Sequence, residues 1–239
     1  MSLYDKGNPE TIQSMFGKIA SDYDRANAIL SFNFHKFWNR ALVKSVKFDL
    51  DAPYLDLCAG TGDIAQEYLK KNPSKRHAIL LDFSGEMLEL AKQKLSQEYF
   101  HHHHITFLKA DAQDIPLESN TIGGATIAYG IRNIKNPLQC FLEVHRVLKS
   151  KAPLSILELT RPQSKLLRLG HRAYLKYFLP LIGKWVTSDK EAYQYLCSSI
   201  EQFSSPLLIK QSLEDAGFTR IKITPLMGGI ATILSAYKP

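Results

Sequence analysis

The segment with the clearest chemical potential is a glycine turn flanked by carboxylates. The octapeptide DLCAGTGD, residues 56–63, lies between an apolar run and a stretch that has helical periodicity. Gly60 and Gly62 let the backbone turn sharply and approach a ligand closely. Asp82 ends the next apolar run, 20 residues after Gly62, which is the spacing at which a carboxylate meets a ribose hydroxyl pair. The turn therefore predicts a ligand that contains a nucleoside.

Two cofactors fit that outline, and charge discriminates between them. Gly60-x-Gly62-x-x-Ala65 matches the dinucleotide fingerprint, but Asp56 and Asp63 flank the turn and would repel a pyrophosphate. S-adenosylmethionine carries a sulfonium and an α-ammonium group, so an acidic turn favours it.

A further acid, Asp111, ends a third apolar run and is followed by Ala112, where an adenine could be contacted by backbone and carboxylate. The alternative is that Asp56, Asp63 and Asp111 only cap helices and turns. The cofactor interpretation is favoured because strand, turn, helix and downstream acid occur in register.

These residues require a parallel sheet to position them. Apolar strands alternate with amphipathic helices, and most strands end in a polar residue, which predicts an α/β fold with strands over 52–57, 77–82, 105–111, 121–129 and 153–159. Residues 8–46 and 163–216 are predicted to be helical. The segments FTRIKITPL and ATILSAY, separated by MGG, predict a closing β-hairpin.

Composition narrows the class of protein. The chain has 239 residues, 45% of them hydrophobic and 22% charged, which excludes a disordered or fibrous protein. Three widely spaced cysteines favour a reducing compartment, and we expect neither a signal peptide nor a membrane-spanning helix. The run His101–His104 lacks acids or cysteines at ligand spacing, so we expect a surface loop and no metal. The net charge of +7 is compatible with a nucleic acid, a membrane surface or an acidic substrate as partner, and does not decide among them.

The chain resembles the S-adenosylmethionine-dependent C-methyltransferases of menaquinone and ubiquinone biosynthesis nearly from end to end. The cofactor turn is common to many methyltransferases. Narrower signals are FGKIASDYDRANAILSFNFHKFW (16–38), TIAYGIRNIKNP (126–137), AYQYLCSSIEQF (192–203) and GGIATILSAYK (228–238).

The resemblance implies a class I S-adenosylmethionine-dependent methyltransferase fold, with a mostly parallel seven-stranded sheet, helices on both faces and an N-terminal helical cap. It implies a single domain over residues 1–239, divided into the cap (1–50), a cofactor-binding core (51–160), and a helical substrate region with the closing hairpin (161–239). The implied reaction is C-methylation of a polyprenyl quinol, demethylmenaquinol to menaquinol, with S-adenosylhomocysteine as the second product.

By resemblance, Thr61 contacts the cofactor in the turn, Asp82 contacts its ribose, and Asp111 with Ala112 contacts its adenine. The expected cofactor-binding residues all lie in the turn or at strand ends: Asp56, Gly60, Thr61, Gly62, Asp82, Asp111 and Ala112.

The implied reaction needs a deprotonated quinol. A phenol with a pKa of about 10 is mostly protonated at neutral pH, so the site requires a base or donors that stabilise the phenolate. Arg132, which stays charged, is expected to stabilise the phenolate, and Asn133 to orient a quinol oxygen. A surface arginine in a loop is the alternative for Arg132. Glu158 is a candidate for the base, and the alternative is that it forms a salt bridge.

Three further side chains are candidates near the substrate. His35 titrates in the range of a general base, although a core or interface histidine is an equal alternative. Tyr23 and Asp24 could close the cofactor site, or serve as a core tyrosine and a helix cap. Tyr193 and Tyr195 point apart on a helix, so we expect at most one to reach the quinol.

Residues 164–185 concentrate positive charge among leucines and aromatics and contain no acid. This pattern favours an interfacial element or a lid for a lipid tail, and a core helix with a solvated basic face is the alternative. We therefore expect a cytoplasmic protein with peripheral contact at the inner membrane surface.

Other functions remain open at this stage. Family members also methylate 2-polyprenyl-6-methoxy-1,4-benzoquinol in ubiquinone synthesis. A nucleic-acid methyltransferase would need a base-flipping motif, which Asn136-Pro137-Leu138 is not, so no nucleic-acid partner is expected. A non-catalytic cofactor-binding module is a more distant alternative, and a homodimer is left open.

Overall fold

Seven strands form the central sheet of the computed structural model, which describes residues 9–162, 164–174, 195–196, 198–201, 203 and 205–239. They are β1 (Tyr54–Leu57), β2 (His77–Asp82), β3 (His104–Lys109), β4 (Gly124–Ala128), β5 (Pro153–Leu159), β6 (Thr219–Leu226) and β7 (Ala231–Tyr237). Their order is β3-β2-β1-β4-β5-β7-β6. Neighbours among β1–β5 pair in parallel, and β7 runs antiparallel to both β5 and β6. The predicted sheet and closing hairpin are confirmed.

Helices cover both faces of this sheet. They are α1 (Pro9–Ile19), α2 (Tyr23–Leu30), α3 (Phe34–Lys44), α4 (Asp63–Lys71), α5 (Gly85–Leu95), α6 (Pro137–Val147), α7 (Lys165–Ala173) and α8 (Pro206–Asp215). Local signals fix several ends. The Ser84 hydroxyl accepts the N–H of Met87 and caps α5, as predicted, and α4 ends before Asn72-Pro73.

The core has two layers, one on each side of the sheet. On one side α6 and α8 pack with Phe141 and Leu213 fully buried. On the other side α3 and α4 bury Leu42 and Tyr68. Full burial of one such side chain stabilises the folded state by roughly 1.5–3 kcal/mol. The packing on both faces therefore holds in place the strand ends that carry the site.

The strand order reverses between β1 and β4, which is where an open α/β sheet forms its ligand crevice. Cys58 follows β1 and Tyr129 follows β4, and both have left-handed backbones, with φ of 54° and 57°. Such conformations are strained for residues other than glycine and cluster at functional sites.

The histidine run is only partly a loop. His104 begins β3 and stacks on His77 at the sheet edge, and the buried His103 accepts the N–H of Arg76. The expectation of a surface loop is wrong for His104, because β3 starts one residue earlier than predicted, and for His103, which lies before the strand but is buried. Among the described residues, no cluster of three metal-ligating side chains is present.

A membrane-spanning element is also not found where the structure can be described. In that part of the chain, every helix is too short or too polar to cross a bilayer.

Candidate active site

Two cavities meet above the carboxyl ends of β1 and β4. The first is bounded by the ends of β2 and β3, the loop after β4, and helices α1 and α2. The second has a volume of about 440 Å³ and extends between α2, α3, α7 and the turn of the hairpin. Five residues line both cavities and define their junction: Tyr23, Cys58, Gly60, Ala128 and Tyr129.

The glycine turn opens onto this junction. Gly60 has a φ of 53°, and a Cβ atom added to it would meet no atom within 4 Å, so it would project into the cavity. The Gly60 N–H donates to Asp82 Oδ2 at 2.8 Å, and the Ser84 N–H donates to Oδ1 at 2.9 Å. Asp82 is buried, burial raises its pKa, and it lines the first cavity.

Asp56 is a buried acceptor of hydrogen bonds from the protein itself. It is 1% exposed, lines neither cavity, and accepts the Thr126 hydroxyl at 2.8 Å and the Ala65 N–H at 3.0 Å. Burial raises its pKa to about 7. Gly62 also lines neither cavity, and it serves as the N-cap of α4 with a φ of 82°. Both residues shape the turn because their atoms are used within it, and neither is placed on a cavity wall; their contact with the cofactor stays a prediction.

The residues expected at the adenine line the first cavity. Asp111 is exposed, and its Oδ1 accepts the Gln113 N–H at 2.8 Å. Ala112 is buried beside it. Together with Asp82 they form one wall of that cavity.

The turn is less acidic than its sequence indicates. Lys94, on α5, donates to Asp63 Oδ1 and to Asp24 Oδ2, each at 2.6 Å, and to the Thr61 hydroxyl at 3.0 Å. Lys94 therefore neutralises part of the negative charge that the sequence predicts at the turn. Asp63 is ion-paired and Asp56 is buried with its oxygens bonded.

Arg132 lies buried on the second cavity beside Glu158. Its Nη1 donates to Glu158 Oε1, and to the Tyr129 carbonyl at 2.7 Å. Its Nε is buried and has no hydrogen-bond partner within the part of the chain that the structure describes. Burial lowers the pKa of Arg132, but the charge and hydrogen bond of Glu158, together with the nearby Tyr23 and Tyr195, outweigh this effect, so the net shift is upward. The alternative of a surface arginine is therefore wrong for Arg132, which is buried.

Glu158 cannot serve as a free base in this arrangement. It is fully buried, and its carboxylate accepts Arg132 Nη1 and the backbone N–H of Leu159 at 2.8 Å. The salt-bridge interpretation is confirmed for Glu158 because both of its oxygens are used by neighbouring donors.

Asn133 lines the first cavity, and its Oδ1 accepts the Tyr195 hydroxyl at 3.0 Å. Tyr195 is buried and thereby fixes the Asn133 amide. Tyr193 lies outside the described residues.

Tyr23 and His35 come from the helical cap. Tyr23 lines both cavities, and burial raises the pKa of its phenol. His35 is buried on the second cavity, where its Nδ1 shares a hydrogen bond of 2.7 Å with the Ser31 hydroxyl. Burial lowers the pKa of His35, so the ring is neutral at physiological pH.

Sequence reasoning missed Tyr129 and Lys94. The Tyr129 hydroxyl donates to the buried Asn39 amide at 2.9 Å, and its carbonyl holds Arg132. Tyr129 comes directly after β4 and before Gly130, and this position in the sequence could have indicated a residue of the site. Lys94 carries no comparable signal, because a lysine in the last turn of a helix is ordinary.

Solved structures share this architecture. A possible histamine N-methyltransferase of Thermotoga maritima, described as S-adenosylmethionine-dependent, superposes with a TM-score of 0.66 at 17% identity, covering 95% of this chain and 99% of that one. The fold and the crevice define a class I S-adenosylmethionine-dependent methyltransferase.

The family follows from sequence comparison. Residues 5–238 match the model of the ubiE/COQ5 methyltransferase family, and the chain belongs to that family. The demethylmenaquinone methyltransferase of Protochlamydia amoebophila is 48% identical, covering 100% of this chain and 99% of the relative. The ubiquinone/menaquinone biosynthesis C-methyltransferase UbiE of Agrobacterium fabrum is 34% identical, covering 98% and 91%. The protein is thus a methyltransferase, and the expected fold and family are confirmed.

Proposed function

We propose that this enzyme methylates a ring carbon of a polyprenyl quinol, with demethylmenaquinol as substrate and menaquinol as product. The names of several relatives support the substrate. The observation that carries the proposal is Arg132, a buried cation that lines a largely apolar cavity and whose Nε has no hydrogen-bond partner among the described residues. Leaving such a donor unpaired costs about 1–3 kcal/mol, a cost that a substrate oxygen would remove.

The first cavity fits S-adenosylmethionine. Asp82 and the pair Asp111–Ala112 would hold its nucleoside, and its amino-acid end would lie at the junction of the cavities, near Gly60 and near Thr61 on the side of the second cavity. The open space above Gly60 supports this fit, because any side chain there would fill the cavity. When bound, S-adenosylmethionine supplies an activated methyl group. The junction of the two cavities then brings methyl donor and ring carbon together, and most of the rate gain is expected from this positioning.

The second cavity fits a quinol ring with an apolar tail. Its wall combines the polar Arg132 and His35 with a largely apolar surface that includes Phe34, Trp38 and Leu167. Arg132 would donate to the quinol oxygen and stabilise the phenolate, which makes the ring carbon nucleophilic.

His35 is the best placed base. Its ring is buried on the second cavity, and its lowered pKa keeps one nitrogen free of a proton at physiological pH. Tyr23 would orient the ring at the junction. Asn133 lies on the first cavity, so its contact would be with the methyl donor side of the junction.

The whole chain would act as one domain of 1–239, with the cap of 1–50 closing over the core of 51–160. The remaining segment, 161–239, would then supply α7 and the hairpin turn to the substrate cavity.

Helix α7 would contact the membrane. It exposes Leu166 at 79% and Leu169 at 69%, and Leu166 also lines the second cavity. Its exposed basic residues are Lys165, Arg168 and Arg172. Two lysines of the basic segment 164–185, Lys176 and Lys184, lie outside the described residues.

The membrane contact is tested by liposome flotation. Each basic residue near an anionic leaflet contributes about 1 kcal/mol to binding, so replacing Lys165, Arg168 and Arg172 by glutamine should reduce flotation with anionic liposomes. Unchanged flotation would refute the contact.

The reaction is tested with purified enzyme, S-adenosylmethionine and two reduced quinones, with products identified by mass spectrometry. We expect the wild-type enzyme to methylate demethylmenaquinol and the Arg132→Ala variant not to methylate it. The second candidate substrate, 2-polyprenyl-6-methoxy-1,4-benzoquinol, is favoured by the name of the relative from Agrobacterium fabrum. Turnover of that quinol alone would replace the first proposal, and turnover of neither would refute both.

A further inference from the structure

Lys94 joins three parts of the chain that are distant in sequence: α5, α2, and the glycine turn with the start of α4 that follows it. Its ammonium extends from α5 to Asp24 on α2, to Asp63 at the start of α4, and to Thr61 in the glycine turn. The Thr61 hydroxyl also donates to Asp24 Oδ1 at 2.6 Å. One cation therefore fastens the helical cap to the cofactor turn.

The charge of Lys94 is what makes this cluster stable. The side chain of Lys94 is 19% exposed, so it is largely shielded from solvent. Burial lowers the pKa of Lys94, but Asp63 and Asp24 outweigh that effect and the net shift is upward, so the amine stays protonated. Without it, two carboxylates that bind the same nitrogen atom would face each other and repel.

The fastened residues border the reaction site, although Lys94 lines neither cavity. Asp24 directly follows Tyr23, which lies at the junction, and Thr61 and Asp63 line the second cavity. The cap also covers the first cavity through Ile12 and Phe16. A ligand in that cavity is therefore held between the turn and the cap.

We propose that Lys94 is a positioning residue that holds α2, and with it Tyr23, over the cofactor turn, and so sets how long the methyl donor stays bound. This inference rests on the proposed function, because it assigns S-adenosylmethionine to the first cavity. A second fastening lies at α1, where Gln13 Nε2 donates to the Phe83 carbonyl at 3.0 Å. Loss of Lys94 therefore loosens the cap at α2 and leaves α1 attached.

The test compares three variants of the full chain. Lys94→Met keeps the length of the side chain and removes the charge, and Lys94→Arg restores the charge. Lys92→Met is the matched control, since Lys92 is exposed on the same helix. We measure the rate at which labelled S-adenosylmethionine leaves the enzyme after dilution into unlabelled ligand, together with kcat and KM.

We expect Lys94→Met to release S-adenosylmethionine about tenfold faster and to raise its KM, because the cap that covers the first cavity then loses its ionic attachment to the turn and opens more readily. Lys94→Arg should retain most of the wild-type rate, and Lys92→Met should match the wild type. A role in folding alone would lower the melting temperature without changing ligand release from the folded fraction, and that result would overturn the inference.

Two outcomes keep the inference separate from the proposed function. If the wild type does not bind S-adenosylmethionine, the proposed function fails. If the wild type binds it and Lys94→Met releases it at the same rate, only the inference fails. Should Lys94→Met not fold, Asp24→Asn tests the same link, because it leaves Lys94 paired with Asp63. A release rate equal to the wild type in that variant would also overturn the inference.

Discussion

The buried ion pair between Arg132 and Glu158 permits a test that separates stability from catalysis. The two side chains are 6% and 0% exposed. Glu158→Gln keeps the shape and an acceptor oxygen but removes the charge, so the guanidinium is left buried without a counter-ion. Breaking a buried pair in this way costs about 3–5 kcal/mol, and we expect the free energy of unfolding in urea to fall by that amount.

The double variant Arg132→Met/Glu158→Leu removes both charges and replaces them with apolar side chains of similar size. Such replacements are often neutral or stabilising, so the free energy of unfolding should return to the wild-type value or exceed it. Methyl transfer should still be abolished, because no cation remains to stabilise the phenolate. Affinity for S-adenosylmethionine, measured by calorimetry, should stay near that of the wild type, since Arg132 lines only the second cavity.

Glu214→Gln is the matched control. Glu214 pairs with Lys210 on α8, where the side chains are 42% and 36% exposed. An exposed pair contributes about 0–1 kcal/mol, so this variant should lose no more than that. An equally small loss in Glu158→Gln would refute the reasoning about burial. Turnover by the double variant would remove Arg132 from the catalytic residues.

Three further predictions concern the cofactor side of the site. Burial raises the pKa of Asp56 from 3.8 to about 7. The native state therefore binds the carboxyl proton more tightly than the unfolded state does, and we expect the free energy of unfolding to fall as the pH rises from about 4 to about 7. Asp56→Asn, which mimics the protonated acid, should flatten that slope in thermal melts, and an unchanged slope would contradict the assignment. Asp82→Asn removes a charged acceptor in the first cavity and should weaken S-adenosylmethionine binding by roughly tenfold or more in calorimetry; equal affinity would exclude Asp82 from the cofactor contacts. Tyr195→Phe removes the hydrogen bond to Asn133 and should lower kcat about fivefold with little loss of stability; an unchanged kcat would show that Asn133 needs no such support.

The features predicted correctly are those encoded over a few residues. The alternation of apolar runs and helical periods located the strands and most helices, and Ser84 marked the start of α5 because a side-chain cap acts on its own first turn. The glycine turn was recognised for the same reason, since the φ angles of Gly60 and Gly62 are local requirements. The family resemblance added the single seven-stranded sheet with helices on both faces, whereas the strand order comes from the structure alone.

The features that sequence reasoning missed are contacts between distant residues. Lys94 and Asp24 are 70 residues apart, and Arg132 and Glu158 are 26 apart. Nothing in the local pattern around Glu158 distinguishes a free base from an ion-pair partner. The acids near the turn were therefore assigned to the cofactor, whereas the fold gives several of them to other groups of the protein.

This neutralisation suits the reaction better than the acidic site expected from the sequence. Transfer of a methyl group from a sulfonium to a ring carbon of a phenolate removes one positive and one negative charge, and the hydrogen of that carbon then leaves as a proton to restore the aromatic ring. Free carboxylates would stabilise the cationic ground state more than a transition state in which that charge is fading, and would raise the barrier. With Asp63 held by Lys94 and Glu158 held by Arg132, the site instead presents fixed, paired charges. Fixed groups need no reorganisation during the reaction, which is the arrangement that favours turnover.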